Sequence, residues 1–137
     1  MKYLVGLFTA IILSIPLSII MFFSISNLIS AFFITIFLIL SFATSGLFYD
    51  LLLMKVKSKI PTFSKFVLFS GIFWFFSLPI LRYFNEYMIS IFLNQSIMIF
   101  TPLFIITQSI FGFVFGLFYS IIYARISIFL ILKRREK

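Results

Sequence analysis

Between Tyr3 and Tyr49 the chain carries no charged residue. A helix crosses the ~30 Å hydrocarbon core of a bilayer in about 20 apolar residues. The run is too long for one crossing and suits two joined by a tight turn. Ser24, Ile25, Ser26 and Asn27 are its most polar cluster and place that turn. A first helix is expected over about 3–23 and a second over about 28–53. Of the 137 residues, 64% are hydrophobic and 10% are charged, whereas soluble domains are roughly 45–50% apolar. Too few polar residues remain to cover a water-facing surface, so lipid is the expected solvent. Ser24-Ile25-Ser26 resembles a signal-peptide cleavage site, but the apolar stretch before it is longer than the usual h-region. It is read as a retained span.

Lys55, Lys57, Lys59 and Lys65, with Pro61 among them, break the apolar pattern and read as a loop over 55–65. A third helix is expected over about 66–84. Its uncharged stretch ends at Leu81, so Arg82 belongs at the interface, with its stem in lipid and its head in water. Pro79 is placed to kink the last turn. The next uncharged run, Tyr87 to Ala124, exceeds one span and leaves two readings open. Thr101 as N-cap and Pro102 at the first helical position would start the fourth helix there, with Tyr87–Phe100 lying along the outer surface. Alternatively that helix begins near Ile97, covers about 97–124 and is kinked by Pro102. A basic tail follows over 133–137.

On this layout every Lys and Arg except Arg82 falls on one side. The positive-inside rule then puts the N-terminus, the central loop and the C-terminus in the cytoplasm. The expected fold is all-α: an integral membrane four-helix bundle, N-in and C-in, in a prokaryotic plasma membrane. Orientation and attraction to anionic headgroups account for the net charge of +8, and no nucleic-acid partner is expected. The expected partners are membrane lipids and either further copies of the chain or other membrane subunits.

The two halves resemble each other. Lys2-Tyr3-Leu4-Val5 stands beside Lys65-Phe66-Val67-Leu68, and Ser14-Ile15-Pro16-Leu17 beside Ser77-Leu78-Pro79-Ile80. Gly46-Leu47-Phe48-Tyr49 stands beside Gly116-Leu117-Phe118-Tyr119. The implied architecture is two helical hairpins in tandem, in the same orientation, as in parallel-repeat transporters.

With its basic-aromatic-apolar opening Lys2-Tyr3-Leu4-Val5-Gly6 and the looser Lys65–Gly71 counterpart, the chain resembles the GtrA-like small membrane proteins. Those have four spans and are implicated in moving polyprenyl-phosphate-linked sugars across membranes. Arg125 and Phe129 fit the end of that family's fourth-helix pattern, although the Asn-Phe pair that commonly precedes them does not occur. The resemblance implies a carrier of lipid-linked cargo.

Histidine and cysteine are absent, so disulfides, thiol chemistry and ordinary zinc, copper or iron–sulfur sites are excluded. Neither a metal nor a cofactor is expected. The only carboxylates are Asp50, Glu86 and Glu136. No paired acids or nucleophile–base set can be assembled from them, and enzymatic activity is not expected. Three residues are candidates for a ligand, ion or ion-pair site. Asp50, at the cytoplasmic end of the second helix, requires pairing or hydration and is expected to pair with Arg125, Lys2 or a loop lysine. Arg82 is the one outer cation, four residues from Glu86 and able to pair with it on one helix face. Gly112 and Gly116 form a GxxxG pair that admits a close helix neighbour, and Gly46 occupies the place matching Gly116. Gln108 and Thr107 are expected to bond across to Thr44 and Ser45. The functional expectation is a small transporter or flippase-like carrier of lipid-linked or anionic substrate. The alternative is an accessory or structural subunit of a larger membrane complex.

Overall fold

A computed structural model describes residues 4–56, 60, 62–94 and 101–135, with side chains to Phe129. The described residues form four α-helices and no strand: α1 (Val5–Ser24), α2 (Leu28–Val56), α3 (Phe63–Leu93) and α4 (Pro102–Arg135). All four are long and apolar enough to cross a membrane.

Local chemistry sets most of the helix ends. Asn27 starts α2, its Oδ1 accepting the N–H groups of Ile29 at 3.1 Å and Ser30 at 3.2 Å. Thr62 caps α3 by accepting from Lys65 N at 3.4 Å. Thr101 caps α4 by accepting from Phe104 N at 3.2 Å, with Pro102 in the first helical position. The fourth helix therefore starts at Pro102 and not near Ile97. Asn94 stops α3 in the left-handed region at φ 50°, a conformation asparagine adopts more readily than most residues.

Four further expected bounds change. The third helix, expected over 66–84, runs to Leu93: Arg82 and Glu86 pair within it, and neither proline nor glycine lies between Arg82 and Asn94. Tyr87–Leu93 is thus the end of α3; residues 95–100 lie outside the described residues. The second helix continues to Val56 and the third begins at Phe63, which shortens the loop expected over 55–65. The fourth continues to Arg135, so part of the expected tail over 133–137 is helical. Pro16 and Pro79 lie inside continuous helices. At 1.5 Å per residue, the 31 residues of α3 extend roughly 45 Å, well past the hydrocarbon thickness.

The helices pack in a ring. α1 lies mainly on α2 and α3 mainly on α4, while smaller α2–α3 and α1–α4 interfaces close the bundle. Small polar residues are buried beside the apolar core, and large apolar residues face outward. Ser14, Ser70, Ser120 and Thr9 are fully buried, whereas Phe23, Ile29 and Leu103 are exposed. Small polar residues inside permit close backbone approach, and outward Phe, Ile and Leu suit a hydrocarbon solvent. At the centre Trp74 is fully buried between Phe42 and Phe115, at ring-centroid distances of 5.8 and 4.7 Å.

Candidate functional site

The two ends of the bundle differ. At the end carrying Lys55 and Lys65 the helices are drawn tightly together. A methyl group on Gly46 would run into the Gly6 carbonyl of α1 and lie 2.7 Å from Ala10 Cβ. One on Gly116 would meet the Ser70 carbonyl of α3 and lie 2.7 Å from Gly71 Cα. Gly112 lies against the Trp74 carbonyl. The GxxxG face thus packs on α3, and Gly46 on α1.

Polar bonds cross this closed end in both directions. Tyr49 O–H of α2 donates to Ser70 Oγ of α3 at 2.6 Å, while Ser70 itself donates to Phe66 O at 3.1 Å. Tyr119 O–H of α4 donates to Gly6 O of α1 at 2.8 Å. Tyr49 and Tyr119 are both fully buried, with ring centroids 5.0 Å apart. Asp50, the next residue along α2, is 2% exposed. Its Oδ2 accepts the Gly6 N–H at 2.7 Å and its Oδ1 accepts the Tyr123 O–H at 2.9 Å.

Among the described residues Asp50 is held by these donors and by no cation. Among the described residues the one ion pair joins Arg82 to Glu86. Arg125 is exposed and does not pair with Asp50; Lys2, Lys57 and Lys59 lie outside the described residues. Hydrogen-bond donors can satisfy a buried carboxyl group without a counter-charge, and α1 supplies one. That helix starts at Val5 after Leu4, whose side chain cannot cap it, so its first N–H groups need an acceptor from elsewhere.

Towards the opposite end the four helices leave a space between them. A cleft of about 430 Å³ lies between all four helices, bounded by Met21 of α1, Phe42 of α2, Leu81 of α3 and Phe115 of α4. Its walls are mostly apolar, with Arg82, Asn85 and Gln108 among its polar lining. The i,i+4 spacing of Arg82 and Glu86 does form the expected ion pair. Arg82 and Asp50 therefore occupy opposite ends and share no site.

The expected contacts between the polar residues of α2 and α4 are replaced by bonds within each helix. Thr107 Oγ1 donates to Leu103 O at 2.8 Å, and Thr44 Oγ1 bonds back to the Leu40 and Ser41 carbonyls. Such back-bonding lets a threonine face an apolar surround. Ser45 lines a shallow groove with Phe48 and Phe73. Gln108 turns into the cleft.

Sequence reasoning did not single out Asn85, Tyr119 or Tyr123. A signal existed for the tyrosines in the repeated Gly-Leu-Phe-Tyr segments, with Tyr123 one turn beyond Tyr119. Asn85 follows Arg82 by three residues on one helix face, yet an isolated asparagine carries no pattern. Among the described residues no group of acidic side chains could hold a metal ion. No protein family, curated protein or solved structure matches the chain.

Proposed function

We propose that this protein is a small membrane carrier that takes an amphipathic, lipid-linked or anionic substrate into the cleft between its four helices. The observation that carries the reading is the asymmetry of the bundle: a cleft lined by Arg82, Asn85 and Gln108 at one end, and glycine-mediated packing crossed by tyrosine bonds at the other. Carriers with alternating access have a site accessible from one side while the other side is sealed. The crossing bonds support a tandem arrangement of two hairpins, because Tyr49 and Tyr119, equivalent in the sequence repeat, each reach the other half. Charge distribution supports placing both termini in the cytoplasm of a prokaryotic plasma membrane. Copies of the chain or other membrane subunits would complete an enclosed path, since four helices surround little volume.

The test is transbilayer exchange in reconstituted vesicles, using short-chain fluorescent lipids with different head groups. Exchange should exceed that of protein-free vesicles for at least one head group. Ser41→Phe, which fills the cleft, should return it to the protein-free rate. Exchange no faster than in empty vesicles for every head group would overturn the carrier reading. The accessory-subunit reading would then lead, and a hetero-complex in the mass of gently extracted protein would support it.

A further inference from the structure

Charge recognition is weak in this cleft. The Arg82 guanidinium already holds the Glu86 carboxylate one turn along α3. A phosphate arriving there would compete with that carboxylate and lie beside a like charge, while a cationic head would meet Arg82 itself. The two charges offset each other locally, which favours neither sign.

The unmet demand lies one residue before Glu86. Asn85 is 5% exposed, lines the cleft, and its Oδ1 has no hydrogen-bond partner among the described residues. A buried amide oxygen without a donor is costly, and a ligand that supplies the donor recovers that cost. Gln108 presents a second amide from α4. Ser41 makes no such demand, because its hydroxyl is turned back to Phe37 O at 2.8 Å. Primary amides both donate and accept, and hydroxyl groups match them in both roles. The remaining lining is dominated by side chains such as Leu38, Phe111 and Phe115, which suit a hydrocarbon chain.

From this we infer that the cleft binds an amphiphile with a neutral, hydroxyl-bearing head group, recognised by the Asn85 and Gln108 amides and not by charge at Arg82. The inference rests on the carrier reading of the cleft, but binding and transport can be measured separately.

Trp74 is the only tryptophan of the chain and packs against Phe42 and Phe115 at the cleft wall. Its fluorescence reports occupancy when the ligand carries bromine. Three amphiphiles with the same dibrominated chain would be titrated into the reconstituted protein: a monoacylglycerol, an alkyl phosphate and an alkyl trimethylammonium. The monoacylglycerol should quench Trp74 saturably at the lowest mole fraction. Asn85→Leu should weaken it by about 3- to 10-fold, the range of one neutral hydrogen bond. Gln108→Leu, on a different helix, should weaken it in the same sense, and the double variant Arg82→Gln with Glu86→Gln should leave it nearly unchanged. Tightest binding by the alkyl phosphate, lost in Arg82→Gln, would overturn the inference while leaving the carrier reading intact. Equal quenching by all three head groups, or none that saturates, would also overturn it. Selective monoacylglycerol binding without lipid exchange in the same vesicles would sustain the inference and defeat the carrier reading.

Discussion

The Asp50 carboxyl group, near the end of α2, receives the backbone N–H of Gly6 at 2.7 Å across 44 positions of chain. It caps α1 from another helix. The same group receives Tyr123 O–H from α4, so one side chain joins three of the four helices. Among the described residues, the titratable side chains that interact with it are the phenols of Tyr49, Tyr119 and Tyr123.

Asp50→Ala should destabilise the bundle by about 2–3 kcal/mol, because the Gly6 N–H and the Tyr123 hydroxyl would lose their acceptor. Asp50→Asn keeps an acceptor for Gly6 and should cost only about 1 kcal/mol. Unfolding titrations in mixed detergent micelles would rank the two. Flux per folded molecule should stay near wild type in Asp50→Asn. Complete loss of flux at an unchanged protein level would make Asp50 a working ion site.

The glycines should divide by what a methyl group would strike. Gly46→Ala and Gly116→Ala drive a methyl into backbone of a neighbouring helix, and each should cost about 1–3 kcal/mol as overpacking. Gly71→Ala meets the ring of Phe113, the nearest atom at 2.7 Å. That half-buried side chain can rotate away, so Gly71→Ala should be the mildest of the three. Thermal unfolding of the purified variants in one detergent gives the order. A Gly46→Ala variant as stable as wild type would contradict the close α1–α2 approach.

Reporter fusions decide orientation. A fusion after Asn27 or after Asn94 should report the outside, and one at Lys59 or after Lys137 the cytoplasm, in keeping with the placement of the basic residues. An external signal from the C-terminal fusion would overturn the arrangement of four spans with both termini in the cytoplasm.

The four long apolar helices of this protein were legible in one dimension. Uncharged runs report the thickness of hydrocarbon they can cross, and Asn27, Thr62 and Thr101 mark helix starts through contacts within a few residues. Those signals are local, so the sequence by itself determined them. It also placed Arg82 and Glu86 four apart, which was enough to anticipate their pairing. The charge at Arg82 marks the end of the uncharged run but not the end of α3, which continues until Asn94 turns into the left-handed region. Tertiary structure alone decided the partners of Asp50. An uncapped helix start at Leu4 and a carboxyl group on α2 carry no mutual signal until packing brings α1 against α2. The cleft arises the same way. Glycines let the helices approach closely at one end, a cleft lies between them towards the other, and the Asn85 oxygen without a partner among the described residues lines it.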